Sequence, residues 1–210
     1  MKDIIKKLLN GIAAGVVISI GCGVYLACEN KYVGAVMFSV ALLTICLRGY
    51  ALYTGKIGFI PEKHDKEALS VLLLGLAGNT IGVSAGGFAL SFAIPKLKEA
   101  AITLCQAKLD TQTFPQTLIR GFFCGILMYI AVSVYRDNKN IVGILFAIPV
   151  FILSGFEHSI ADIGYFACAN IFSINAFGFI WTVILGNSLG SMLLPVITSC
   201  KLQVASGRTE

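Results

Sequence analysis

Gly78-Asn79-Thr80-Ile81-Gly82 and Gly186-Asn187-Ser188-Leu189-Gly190 repeat one pattern, glycine-asparagine-any-any-glycine, inside two apolar runs about half a chain apart. Around them the 210 residues divide into six apolar stretches: Leu8 to Cys28, Val33 to Tyr53, Ala68 to Ile94, Phe114 to Tyr135, Ile141 to Phe156 with a continuation to Ile174, and Ala176 to Cys200. Each half holds three of them. An odd number of crossings makes the second half enter a bilayer from the opposite face. The pattern therefore predicts inverted repeats over about 1–100 and 110–210, within a single transmembrane domain covering 1–210. A narrower reading, in which the glycines simply let two helices approach, stays open at this point.

The bilayer follows from composition. Hydrophobic residues make up 57% of the chain and charged residues 13%, with a mean hydropathy of +0.84, where soluble domains carry about 25% charged residues. Crossing a hydrocarbon core of about 30 Å takes about 20 residues of helix, which the runs supply. Short alternating strands are absent, so a β-barrel is excluded and the expected fold class is an all-α membrane protein. Connectors such as Glu29-Asn30-Lys31, Pro61 to Lys66 and Arg136 to Asn140 leave no room for a soluble domain.

Cationic loops stay on the cytoplasmic side. With the N-terminus inside, Lys2, Lys6, Lys7, Lys56, Lys63, Lys66, Arg136, Lys139, Lys201 and Arg208 share the inner face, against Lys31, Lys96, Lys98 and Lys108 outside. A multi-pass protein of the inner (plasma) membrane with both termini cytoplasmic is expected. The net charge of +5 then reports topology and contact with the lipid bilayer, and no nucleic-acid partner is expected. Seven cysteines without C-x-x-C spacing read as free thiols packed like small apolar residues. The stretch after Met1 lacks a cleavage site, so the first span is expected to remain in the mature protein.

Two of the runs are broken at matching places. Gly49-Tyr50-Ala51-Leu52-Tyr53-Thr54-Gly55-Lys56 interrupts the second, and Ser154-Gly155-Phe156-Glu157-His158-Ser159-Ile160-Ala161-Asp162 interrupts the fifth. Irregular backbone at membrane depth persists only where protein or a cavity satisfies it, so paired breaks point to a solute path. Ionisable groups inside spans are costly and mark function by default. His158 is the one histidine within a span; His64 lies in a polar loop. A histidine satisfied by a neighbour is one reading of it. The other is a pore group that donates a hydrogen bond to, or exchanges a proton with, a passing weak acid. Glu157 is expected to accept backbone N–H groups where the broken helix restarts, and Asp162, one turn on, is placed to pair with His158. Arg48 is expected to reach the interface or meet an acid. No metal-ligand cluster, nucleotide loop or nucleophile with a base is present, so neither a cofactor nor enzymatic turnover is expected.

The string Ser154-Gly155-Phe156-Glu157-His158-Ser159-Ile160-Ala161 resembles the fifth-span signature of the formate/nitrite transporter family. Ala14 to Ile20, Phe38-Ser39-Val40, Leu52-Tyr53-Thr54 and both glycine-asparagine segments fall in that family's order, so the resemblance covers nearly the whole chain. It implies an aquaporin-like fold of two inverted three-helix repeats with interrupted second and fifth helices, assembled as a homopentamer with one pore per protomer. It also implies that His158 is the central pore histidine and Thr54 the loop residue facing it. Phe38 and Phe151 would form the outer constriction, Leu42, Leu52 and Tyr53 the inner apolar slit, and Lys108, in the loop before the fourth span, the outer cation; plain solvation of Lys108 is the other reading. Asn79, Asn187, Glu157 and Asp162 would support the pore.

The chain departs from the family pattern at Ala51, where an acidic residue is common, at Tyr53 for Phe, and at Gly125 and Asp162, both usually Asn. The resemblance implies passage of a small monovalent anion or its neutral acid (formate, nitrite, hydrosulfide or a short carboxylate), with or without a proton. A channel for a neutral solute such as ammonia, water or urea is the alternative.

Overall fold

The computed structural model describes residues 1–206, with side chains through Thr198; the side chains of Cys200 and Lys201, and Arg208, lie outside what it describes. Eight α-helices account for the described fold: α1 (Lys2–Ala27), α2 (Lys31–Arg48), α3 (Lys66–Ala93), α4 (Pro95–Thr111), α5 (Phe114–Asn138), α6 (Val142–Leu153), α7 (Ser159–Ala169) and α8 (Ile174–Ser206). Five of them, α1, α2, α3, α5 and α8, are long and apolar enough to cross a membrane, and α6 and α7 are shorter apolar helices.

The distribution of polarity is that of a protein dissolved in lipid. Phe92 is 91% exposed and Phe146 69%, while Asn79 and Asn187 are fully buried and His158, Glu157 and Asp162 nearly so. In water this arrangement would expose apolar surface and strand polar groups; in hydrocarbon both costs reverse.

Two helix pairs form the frame, α1 against α3 and α5 against α8. Their crossings depend on the glycines of the repeated motif. A Cβ on Gly78 would lie 2.5 Å from the Leu8 carbonyl oxygen, and one on Gly186 would lie 2.5 Å from that of Leu118. Only glycine permits backbones to meet this closely. Gly125 is explained by the same contact: any side chain there would run into the backbone of α8 at Asn187 and Ser191, so the polar group of the family pattern has no room.

Helix α2 stops at Arg48, five residues short of the expected Tyr53, because Gly49 adopts the left-handed conformation (φ 69°) that closes a helix. Arg48 is exposed and has no ion-pair partner among the described residues. Helix α4 is a second difference, since it fills the interval between the expected third and fourth spans, where Lys108 is expected in a loop. Leu97, Ala101 and Cys105, spaced by four, are buried, and the face they form packs on α7. Cys22, Cys28, Cys46, Cys105, Cys124 and Cys168 are free thiols, as expected.

Candidate functional site

Two segments outside the α-helices, 49–56 after α2 and 154–158 between α6 and α7, meet inside the helix frame. Their backbone groups would be orphaned in an apolar interior without partners. The motif asparagines supply them. Asn79 accepts from the Tyr53 N–H (2.8 Å) and donates to the carbonyls of Ala51 (2.8 Å) and Gly11 (2.9 Å). Asn187 accepts from the Ser159 N–H (2.9 Å) and donates to the carbonyls of Glu157 (2.8 Å) and Gly121 (2.8 Å). Each side-chain amide thus ties one break to a neighbouring helix. The motif is both a packing device and a brace: its glycines let two helices approach, and its asparagines hold the breaks. Asn10 adds a bond to the Ala51 N–H (2.6 Å).

Between the braces, His158 Nε2 lies 2.8 Å from Thr54 Oγ1. The other ring nitrogen, Nδ1, accepts from the N–H of Ala161 at 3.1 Å, which makes His158 the N-cap of α7. A nitrogen that accepts cannot carry a proton, so the neutral ring is protonated at Nε2 and donates from there to Thr54. Phe151 stacks on the imidazole, with centroids 5.7 Å apart and planes at 19°. Phe38 meets Phe151 edge-on at 6.5 Å.

Two cavities approach this hydrogen bond. One, of about 230 Å³, is lined by Phe38, Phe151, His158, Lys108, Glu157 and Asp162 among others. The other, of about 430 Å³, is lined by Leu42, Leu52, Gly55, Lys56, Glu62 and Arg136 among others. Phe38 and Leu42 are one turn apart on α2, so about 6 Å of helix separates the two linings. Tyr53 lines neither cavity; its hydroxyl is bonded to Ser188 Oγ (2.7 Å) on α8. Thr54, 1% exposed, lines neither and reaches the site only through His158.

Three expectations are corrected here. Glu157 does not accept backbone N–H groups: its carboxylate takes Lys108 Nζ on one oxygen and Gln112 Nε2 (2.6 Å) on the other, because His158 has already taken the capping position. Asp162 does not pair with His158; its Oδ1 lies 3.0 Å from Lys108 Nζ. Lys108 is not a solvated loop residue. It sits on α4 with its side chain 12% exposed, held between the two carboxylates, because α4 lays it across the start of α7. Gln112 and Asn10 were not anticipated. A polar residue inside the first apolar run was a signal for Asn10, whereas nothing local marks Gln112.

Comparison with known proteins agrees with this architecture. A solved structure described as a pentameric formate channel with formate bound superposes with a TM-score of 0.77 at 22% identity, over 97% of this chain and 98% of that one. Formate-nitrite transporter 2 of Toxoplasma gondii is 28% identical over 187 residues, 79% of this chain and 40% of the relative. Formate channel FocB of Escherichia coli is 22% identical over 182 residues, 76% of this chain and 64% of the relative. The chain thus spans less than two thirds of the length of either relative. These proteins are described as channels and transporters, not enzymes. A family model described as formate/nitrite transporter matches residues 1–200, and the chain belongs to that family.

Proposed function

We propose that this chain is a transmembrane channel for a small monovalent anion or its neutral acid (formate, nitrite, hydrosulfide or a short carboxylate), with a proton accompanying the anion. The observation that carries this reading is the buried His158–Thr54 hydrogen bond, with His158 lining one cavity and Leu52 and Gly55, on either side of Thr54, lining the other. A path through it meets Phe38 and Phe151 on one side and Leu42 and Leu52 on the other, with Tyr53 backing the slit from its anchor on α8. An ion between such walls loses hydration without replacement, whereas a neutral acid does not. At the midpoint the Nε2–H of His158 can turn its donation from Thr54 to a solute oxygen. Lys108 keeps a positive charge beside the first cavity, close to where the solute is taken up.

The same reading treats α6 and α7 as two pieces of one span. By rise they measure about 18 and 16 Å, each too short for a core of about 30 Å but sufficient end to end. That makes six spans, α1–α3 and α5–α8 being inverted repeats, and the equivalent work of Asn79 and Asn187 supports the equivalence. Lys/Arg placement supports cytoplasmic termini, with the Lys56 cavity inward and the Lys108 cavity outward. A homopentamer is proposed from the pentameric neighbour, and native mass spectrometry in mild detergent decides it.

The test is flux in proteoliposomes with formate, nitrite and hydrosulfide, following substrate and proton together. His158→Asn keeps a donor and is expected to retain assembly with a lower rate, and His158→Phe to close the path. Wild-type flux of the anions in both variants would overturn the central role of His158. Passage of ammonia or urea alone, indifferent to a proton gradient, would favour a neutral-solute channel.

A further inference from the structure

The Lys108 cavity contains an imbalance that the proposed pathway does not use. One ammonium, Lys108, faces two carboxyl groups, Glu157 at 3% exposure and Asp162 at 1%. Glu157 is fully engaged, one oxygen on Lys108 and the other on Gln112 Nε2. Asp162 is not. Its Oδ1 takes Lys108, and its Oδ2 has no hydrogen-bond partner. Two other buried side-chain oxygens lack partners among the described residues, Ser39 Oγ and Ser159 Oγ, and neither residue lines the cavity; Asp162 does.

The charge count then decides where a proton goes. The ammonium balances one carboxylate, and a second negative charge stripped of water at this depth would cost several kcal/mol or more. Other titratable groups around Asp162 are Cys105 of α4, Cys22 of α1, Cys124 of α5 and Tyr165 of α7, and none of these brings a second cation. His158, four residues earlier, is committed as the neutral cap of α7. Arg120 also borders the cavity but directs its guanidinium to the Gly155 carbonyl at 3.4 Å. A proton on Asp162 Oδ2 removes the excess charge, leaves Oδ1 free to accept from Lys108, and sits on an oxygen that has no hydrogen-bond partner, in a residue that borders the cavity.

We infer that Asp162 is the proton donor of the Lys108 cavity, passing the proton on Oδ2 to an arriving formate or nitrite anion so that the solute reaches His158 as its neutral acid. This rests on the channel reading above and assigns protonation to a residue other than the histidine. The Oδ2–H bond of Asp162 breaks and an O–H bond forms on the substrate oxygen. No electron changes hands. The carboxylate left beside Lys108 regains its proton from cavity water, so one proton enters with each anion and is released when the acid dissociates on the far side.

Infrared difference spectroscopy and flux, both on the intact protein in phosphatidylcholine–phosphatidylglycerol liposomes, test this separately. The wild type is expected to show the C=O stretch of a buried carboxylic acid that shifts in deuterium oxide, disappears in Asp162→Asn and returns in Asp162→Glu. Formate uptake by the wild type should change about tenfold per pH unit, as one proton per passage requires, and in Asp162→Asn uptake should fall to a slow residual rate whose slope flattens to less than about twofold per pH unit. A wild type that moves formate but lacks the band, or an Asp162→Asn variant with the wild-type slope, overturns the inference alone. A wild type that has the band yet moves neither formate nor nitrite overturns the channel reading, and the hand-over with it.

Discussion

The two chain breaks are built alike and equipped differently. In each, a buried asparagine from a long helix binds two carbonyls and one N–H, and a glycine beside it brings that helix within backbone contact of its partner. The break after α2 carries Leu52, Tyr53 and Thr54, none of them charged in the interior. The break before α7 carries Glu157 and His158, with Asp162 one turn on. What repeats is the support, and what fails to repeat is the chemistry. A duplicated frame holds a single set of reactive groups, so substitutions in the repeated part should act on both halves alike and those in the unrepeated part on one.

The largest effect expected is from the braces. Asn187→Ala strands the Glu157 carbonyl and the Ser159 N–H in the interior, a loss of about 2 kcal/mol or more at roughly 1 to 3 kcal/mol per orphaned group. Asn79→Ala should cost a comparable amount, and denaturant unfolding in detergent measures both. A difference of several kcal/mol would show that the breaks are not equivalent.

Next come the crossings. Gly78→Ala and Gly186→Ala each force a Cβ against a carbonyl oxygen at 2.5 Å, and overpacking of this kind costs about 1 to 3 kcal/mol. Thermal melting of the two variants should move by similar amounts. If only one shifts, close approach matters to one helix pair alone.

The smallest effect sharpens the asymmetry. Tyr53→Phe deletes the bond to Ser188 Oγ while keeping the ring, and should cost about 1 kcal/mol. Because Tyr53 lines neither cavity, formate flux should change little, which uptake assays can check. A large loss of flux would bring Tyr53 into the path itself.

Most of the frame was legible in the sequence because its causes are local. Apolar runs long enough to span and the glycine that ends α2 act through their own neighbours, and the glycine-asparagine segments show themselves by repetition although the groups they bind lie far along the chain. Helix α4 was hidden by its lysines: hydropathy marks 95–111 as polar, and only the spacing of Leu97, Ala101 and Cys105 reveals a face to bury. The facing of His158 and Thr54 agrees with the expectation from the sequence, whereas the partners of Lys108, Glu157 and Asp162 do not. Lys108 meets Glu157 and Asp162 only because α4 folds back over α7, a tertiary fact with no local sign. Asp162 lies four residues from His158, the spacing of a helical pair, but His158 is the cap and turns its ring toward the Ala161 N–H and Thr54 instead.

That cap has a consequence for how tightly the membrane is sealed. A histidine conducts protons as a relay when one ring nitrogen takes a proton while the other releases one. Here the rear nitrogen is occupied by the first turn of α7, so the imidazole is a terminus and offers no through-route for hopping. On the channel reading proposed above, bare protons cannot short-circuit the bilayer along this path, a proton crosses only as part of a neutral acid, and the leak of the gradient is metered by the supply of substrate.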